Sequence, residues 1–563
     1  MNWNILNKAS SEKIEEIVKI LLKNRGLKTE KEVSEFLNPK NPADFTAKDL
    51  GIDEKEVKKA VGRIKKAIKN NEGIIVYGDY DADGICATAI LWETLYELSG
   101  KSKNILPYIP ERVSEGYGLN CESISKIKDQ RSNLGLIITV DHGITAAEKI
   151  KYASELGVDV IVCDHHQVGK EKPKCTAVIH TEKICAAAIS WFLSKEIIKN
   201  FPNCQLLIAN YLDLVAIATI ADLEPLVGIN RSFVKFGLES LRKTTRCGLL
   251  AIFEEAGLKK EEIDTYHVGY IIGPRLNAMG RMEHALESLR LLCTNSCDKA
   301  KDLAEKLGLT NKERQLLTEE TVKQAKLLIA GIEGVLPKFL VVDSDQYEEG
   351  IIGLVAGKLV EEFHRPAVVI SRGEKYSKAS ARSINGFNII EAIRVQSDLL
   401  VDSGGHPMAA GFTIETVKIN LLKQRLIKGA EKQITGEMLN KTLKIDMELP
   451  LPAVSLNLWE EIKKLQPFGL GNPEPSFSSK AMVKSFRTVG SDSKHLKLSL
   501  ALITNCSIAN CFSAIAFNMG NLAEKLEIDQ KVEIAYNLSL NIWNNTQNIE
   551  LKIKDIKWPN SKI

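Results

Sequence analysis

The chain is 563 residues long, which at roughly 100–200 residues per domain implies three or four domains. Hydrophobic residues make up 44% and charged residues 26%, a globular balance that excludes a disordered or fibrous chain. With 75 Lys and Arg against 72 Asp and Glu the net charge is +3; this excludes a histone-like basic coat but leaves room for a local basic groove.

No apolar run approaches the ~18 residues of a membrane span. The opening MNWNILNKASSEKIEE lacks the apolar core of a secretory signal. The 11 cysteines are scattered without a CxxC pair, as expected of reduced thiols in a cytoplasmic protein with no membrane partner.

Residues 1–70 are charged, and Val57, Val61, Ile64 and Ile68 recur at helical spacing, so this stretch reads as an N-terminal helical cap. From residue 73 the texture changes. GIIV (73–76), LGLIITV (134–140) and GVDVIVC (157–163) are short Val/Ile-rich runs separated by helical stretches. LDLVAIATIA (212–221) reads as a fourth run, although its first half fits a helix equally well. Buried strands alternating with helices predict a parallel α/β sheet over 71–240.

Residues 241–335 read as a helical connector; Leu303, Leu307, Leu317 and Leu328 lie in a charged, Pro-free stretch that predicts a long helix. KFLVVD, GLVAGKLVEEF and RPAVVIS predict a second α/β unit over 336–435. LQPFGLGNPEPSF marks a Pro/Gly-rich boundary. About five β-rich runs follow, which suits a small OB-fold-like barrel over 440–563.

The acids fall at the ends of the apolar runs. The first leads into Gly78-Asp79-Tyr80-Asp81-Ala82-Asp83-Gly84, the second into Asp141-His142-Gly143, the third into Asp164-His165-His166, and the fourth into Asp222. Ligands of open parallel sheets lie beyond the carboxyl ends of the strands, so all four clusters converge on one edge. In extended chain, residues two apart share a side, and Asp79 and Asp81 present their carboxylates together. A lone Asp at a strand end is most often a helix cap. Four such ends, two carrying histidine, are not explained by capping.

Grouped carboxylates repel one another unless cations neutralise them, and oxygen ligands with one or two imidazoles suit Mg²⁺ or Mn²⁺. Two such ions point to metal-dependent phosphoester or phosphoanhydride hydrolysis, with His166 left to touch the phosphate or leaving group.

GDYDADG, TVDHG, CDHH and TIADLEPL, in this order, resemble the four motifs of the DHH phosphoesterase superfamily. GGHPMAAG (404–411) resembles the GGH motif of the associated DHHA1 domain. GPRLNAMGRM (273–282), GIIGLVAGKL (350–359), SARSINGFN (380–388) and LQPFGLGNPEP (465–475) are similar to the superfamily's single-strand-specific DNA exonucleases. The resemblance implies a parallel-sheet DHH domain joined by a long helix to a DHHA1 α/β domain, with an OB-fold-like barrel after it. It implies that Asp79 and Asp141 hold one ion, and that Asp81, Asp141, His165 and Asp222 hold another. Asp164 would orient the loop and His166 would face the scissile phosphate. The chain departs from many members in having Val76-Tyr77-Gly78 where they place a histidine upstream of the acids, and in having Ala381 in place of a glycine.

The same resemblance implies 5′→3′ degradation of single-stranded DNA to mononucleotides in recombination and repair, beside a single-strand-binding protein and a RecQ-type helicase. Arg112 sits on a Gly-bearing loop suited to a terminal phosphate, and Tyr117 to stacking on a base. Arg275 and Arg281 flank Asn277 in a Gly/Pro-rich turn; Ser380, Arg382, Gly404, Gly405 and His406 offer donors from the second lobe. Lys484, Arg487, Lys494 and Lys497 are candidates for a groove on the barrel. The rival readings are a nanoRNase or cyclic-dinucleotide phosphodiesterase on the same chemistry, and a catalytically silent DNA-binding scaffold.

Overall fold

The computed structural model describes residues 1–112, 114–169, 171–201, 208–332, 334–503, 511–543 and 546–558. The chain divides into a smaller unit (Met1–Lys40, Pro225–Gly228, Lys441–Ile563) and a larger one (Asn41–Glu224, Ile229–Asn440). The stretch read as one helical cap is thus shared between units. It begins with a strand, β1 (Asn2–Asn7), which belongs to the smaller unit.

In the larger unit, helix α1 (Glu54–Lys69) is capped by Asp53 and buries Val57, Val61 and Ile64. Strands β2 (Gly73–Tyr77), β3 (Ile105–Tyr108), β4 (Leu134–Val140), β5 (Asp159–Asp164) and β6 (Ala177–His180) form a wholly parallel sheet in the order β3-β2-β4-β5-β6. Every residue of β2 is buried, because both faces are covered. One face packs Ile75, Tyr77, Ile137, Val160 and Val162 into a core with Ile124 and Ile150. Helices α2 (Ala82–Leu98), α3 (Ala186–Ile198) and α4 (Leu212–Ala221) pack against one another in the same unit.

Helix α4 corrects the fourth run, which is helix throughout and not a strand. It is buried on every side, so its apolar residues show no period that separates helix from strand. GPRLNAMGRM likewise forms a helix, α5 (Gly273–Met282), following a π-helical stretch at Val268–Ile272, and not a turn.

The expected long helix is present as α6 (Cys297–Ala330), 34 residues and about 50 Å long. It leads to β7 (Leu340–Ser344), helix α7 (Ile352–Phe363), β8 (Ala367–Ser371), β9 (Tyr376–Arg382), β10 (Leu400–His406) and β11 (Ala409–Glu415). These strands make a second sheet in the order β10-β11-β9-β8-β7, antiparallel except for β7 with β8.

The smaller unit holds β12 (Thr442–Glu448), β13 (Phe477–Val489), β14 (His495–Ala501), β15 (Phe512–Ala516), β16 (Lys531–Trp543) and β17 (Thr546–Lys557). The order β13-β14-β15-β17-β16 closes through β13–β16 into a five-stranded barrel of OB type. Strand β1 pairs parallel with β12, with Asn2 opposite Thr442. LQPFGLGNPEP, read as a boundary, is an ordered loop of this unit. Buried Asn472 donates to the carbonyls of Leu465 and Pro467 and accepts from Arg25 Nε at 2.7 Å.

Candidate active site

The carboxyl ends of β2, β4 and β5 bring the acidic motifs together as the sheet topology requires, and the C-terminus of α4 adds Asp222. Asp81 caps α2, accepting from the backbone of Asp83 and Gly84 at 2.9 and 3.1 Å. A Cβ on Gly84 would lie 2.7 Å from the Asp79 carbonyl oxygen, so the loop closes this tightly only with glycine there. Helix α5 braces the loop from outside: Asn277 Oδ1 accepts from the Ala82 N–H at 2.7 Å, and a Cβ on Gly280 would lie 2.4 Å from the Tyr80 carbonyl.

Three groups of ligand-type atoms lie within 4.8 Å of one another: Asp79, Asp81 and Asp141; Asp83, His165 and Asp222; and Asp141, His165 and His166. All the residues expected to hold metal are brought together. The grouping differs from the one the resemblance implied: Asp81 lies with Asp79 and Asp141, and Asp83 takes its place beside His165 and Asp222. The extended alternation stops at Asp81, where the helix begins. Asp83 therefore sits in the first turn of α2, accepting at 2.7 Å from both Ala186 and Ala187 N–H at the start of α3.

The electrostatics show a centre short of positive charge. Asp79 and Asp141 are almost fully buried; among the described residues Asp79 Oδ1 has no hydrogen-bond donor, and Asp141 Oδ1 has only His165 Nε2 beside it, at 3.2 Å. Burial, then the charge of Asp81, pushes Asp79 well above the usual carboxylate range; burial, Asp83 and Asp81 do the same to Asp141. Burial raises Asp83 to about 6, and burial with the charge of Asp83 raises Asp222 to about 8. Burial opposes a charged His165, but Asp141 and Glu224 outweigh it and push its pKa up to about 12. Orphaned buried carboxylate oxygens with one or two imidazoles fit hard divalent cations.

Asp164 behaves differently. It is buried, yet it drops to about 2, because hydrogen bonds from His166 and from Ile144 N–H outweigh desolvation. Its Oδ1 meets His166 Nδ1 at 2.8 Å and His166 N–H at 3.1 Å; its Oδ2 accepts from Ile144 at 2.9 Å. Asp164 thus orients His166, whose Nε2 lies 3.4 Å from the Tyr117 hydroxyl. Tyr117 donates to the Asp141 carbonyl at 3.1 Å and is half exposed, its ring edge-on to Tyr80. His142, by contrast, packs edge-on to Tyr77, and burial lowers it to about 4.

Across from the carboxylates, guanidiniums gather. Arg281 is pushed down to about 10 by burial and by the neighbouring Arg112, Arg314 and Arg382. None of the four has a carboxylate partner among the described residues. Arg112 lies over the Tyr80 ring at 4.7 Å, Arg281 donates to the Gly350 carbonyl, Arg314 to Asn311 Oδ1, and Arg382 to Ser380 Oγ and the Ala381 carbonyl. Gly353 keeps this corner open, since a Cβ there would meet Ser380 Oγ at 3.0 Å and Arg382 Nη2 at 3.2 Å. Strand β10 places His406 near-parallel to His166 with ring centres 6.5 Å apart. Gly404 and Gly405 precede it. Gly405 has φ of 140°, and a Cβ on it would lie 2.4 Å from the Ala409 carbonyl.

Arg275 is not part of this cluster. It pairs with Glu255 at 2.6 Å and bonds the Ile271 carbonyl. On a helix, residues six apart differ by about 120°, so Arg275 and Arg281 face different ways. Sequence reasoning missed Asp83 and Arg314. The third acid of DYDADG was a visible signal for the first; nothing local marks the second. In the smaller unit, Lys484 pairs with Asp529, Lys494 with Asp492 and Lys497 with Glu550, which neutralises much of the candidate groove.

A parallel sheet with this carboxylate edge and a following GGH-bearing sheet defines a DHH-type phosphoesterase. Family models agree: the N-terminal domain of the DHH family matches residues 73–219, the DHHA1 domain 336–435, and the RecJ OB domain 445–555. A Bacillus subtilis protein named single-stranded-DNA-specific exonuclease RecJ is 35% identical over 551 residues, covering 96% of this chain and 67% of its own length. Its Thermus thermophilus namesake is 32% identical, covering 90% and 71%. The crystal structure of Thermus thermophilus RecJ with Mn²⁺ superposes with a TM-score of 0.82 at 28% identity, covering all of this chain and 80% of that one. A structure of the Thermus protein with Mg²⁺ gives 0.75 at 26% identity, covering all of this chain and 79% of that one. The chain belongs to the RecJ family.

Proposed function

We propose that this protein is a single-stranded-DNA-specific 5′→3′ exonuclease that releases mononucleotides by two-metal phosphodiester hydrolysis. The observation that carries the reading is the pairing of a buried, cation-deficient carboxylate centre with four guanidiniums that have no carboxylate partner among the described residues. Asp79, Asp81 and Asp141 would hold one Mg²⁺ or Mn²⁺ ion; Asp83, Asp141, His165 and Asp222 would hold the other. When bound, such ions supply an activated water and neutralise the oxygens of an in-line displacement, which inverts phosphorus.

The protein's own groups do the rest. Asp164 fixes the His166 ring so that Nε2 is presented to a non-bridging oxygen or the leaving group. Arg112, Arg281, Arg314 and Arg382, with Ser380, receive a terminal phosphate through charge-assisted hydrogen bonds. His406, on the Gly404–Gly405 strand, closes the site beside His166. Tyr117 offers a half-exposed ring to a base. A terminal phosphate anchored beside the carboxylates sets which end is cut and how much leaves per cut. Asn277 acts on the loop that carries Asp81, and Arg275 supports α5 through Glu255.

Recombination and repair, in the cytoplasm, beside a single-strand-binding protein and a RecQ-type helicase, are the setting this reading implies. Among the described residues no helix is long and apolar enough to cross a membrane. The test is cleavage of a single-stranded oligonucleotide with Mn²⁺, labelled at either end, beside a matching duplex and a dinucleotide. The expected result is immediate release of 5′ label as mononucleotide with the duplex spared. Rapid loss of the dinucleotide with the long strand intact would assign the protein to the nanoRNases, and tight binding without cleavage would make it a silent scaffold.

A further inference from the structure

We infer that Glu224 is a positioning residue: it holds His165 in the tautomer and orientation that turn Nε2 toward the carboxylate centre. The inference rests on the metal-site reading above and adds a residue to it.

His165 has two distinct faces. Its Nε2 looks at Asp141 Oδ1 at 3.2 Å, Asp222 Oδ2 at 3.7 Å and Asp83 Oδ2 at 3.8 Å. Its Nδ1 looks the other way, at Glu224 Oε1, 3.4 Å off. An imidazole that offers a lone pair from one nitrogen carries its proton on the other, and an acceptor beside that second nitrogen selects the tautomer. Among the described residues, Glu224 is the carboxylate within ion-pair reach of Nδ1.

Glu224 is itself built in. Its side chain is 13% accessible, and its Oε2 receives Asn230 Nδ2 at 3.4 Å, while the same Nδ2 bonds the Lys183 carbonyl at 3.1 Å. The end of α4 sets its position. Leu223 N–H bonds the Ile220 carbonyl and Glu224 N–H the Thr219 carbonyl, the paired bonds of a Schellman turn. The turn's left-handed position is held by Leu223, with φ of 59° and 71% exposed. One helix end thus delivers two carboxylates to opposite sides of the same ring, Asp222 toward Nε2 and Glu224 toward Nδ1.

The test is Mn²⁺ binding to the purified full chain, followed calorimetrically and by the EPR signal of free Mn²⁺. Glu224→Ala is expected to weaken binding roughly 10–100-fold. Glu224→Gln keeps an acceptor oxygen for Nδ1–H and is expected to restore affinity to within about fivefold of wild type. Glu224→Met, of similar size but without that acceptor, replaces the alanine variant should the latter not fold, and is expected to bind as weakly. Wild-type affinity in the Ala or Met variant overturns the inference. So does a Gln variant as weak as Met, which would make Glu224 a source of charge only. His165→Ala separates the two levels: if it retains wild-type Mn²⁺ affinity, the metal-site reading itself fails.

Discussion

Replacing Asp164 with Asn tests both the electrostatics and the geometry of the His166 loop. In the wild type one carboxylate oxygen takes both His166 donors and the other takes Ile144 N–H. An amide has one acceptor and one donor end, so either orientation sets N–H against N–H. The ionised carboxylate is also stabilised by folding, since its pKa falls from 3.8 to about 2. At about 1.4 kcal/mol per pKa unit, that fall contributes about 2 kcal/mol to stability. Because the folded value is the lower one, the contribution is complete above pH ~4 and fades as pH falls toward 2. Urea unfolding of the metal-free protein at pH 7 should show Asp164→Asn less stable by at least about 2 kcal/mol, with the gap narrowing by pH 3. The variant should also lose most of its turnover while His165 still supports Mn²⁺ binding. Equal stability of the two proteins at pH 7, or a gap that does not narrow in acid, would refute this account.

Asp83→Asn should abolish detectable cleavage and weaken Mn²⁺ binding by at least tenfold in a calorimetric titration, because the amide places a dipole where the centre needs charge. Arg382→Ala should raise the KM for a 5′-phosphorylated oligonucleotide by roughly 10–100-fold, the worth of a charge-assisted hydrogen bond, and shrink the preference over a 5′-hydroxyl end. Arg275→Ala, which loses the Glu255 pair and the bond to the Ile271 carbonyl but no contact with the guanidinium cluster, should leave both kinetic constants within about twofold. Gly280→Ala drives a methyl to 2.4 Å from the Tyr80 carbonyl, so the melting temperature should drop by several degrees and cleavage should fall with it.

Much of the site was legible because it follows from topology: buried β2, β4 and β5 can only end at one edge, and the acids follow them directly. Where reading failed, a local signal was ambiguous or lacking. LDLVAIATIA is buried all round, so neither a two-residue nor a 3.6-residue period survives in it, yet its last residue still hands Asp222 to the centre. The extended spacing that pairs Asp79 with Asp81 does not announce the place of Asp83: Asp81 caps a helix, and Asp83 reaches His165 and Asp222 from its first turn. Arg281 and Arg275 look equivalent in sequence, and only helical phase separates them. Arg314 lies in a charged helix, and nothing in its local spacing separates it from the exposed charges around it. NWNILN is too short and too polar to announce a strand; its partner β12 is some 440 residues away.

That distant pairing governs how the molecule is made. The first forty residues share a unit with the last stretch of chain, and the larger unit is threaded between them. On a ribosome adding about 5–20 residues per second, Asn2–Asn7 and the apolar side chains of Ile17, Leu21 and Phe36 wait roughly 25–110 s before Met447, Phe477 and Tyr536 all exist to cover them. The catalytic sheet can therefore be complete while the N-terminus is still unprotected, and this interval is when the nascent protein is most open to proteolysis or chaperone capture.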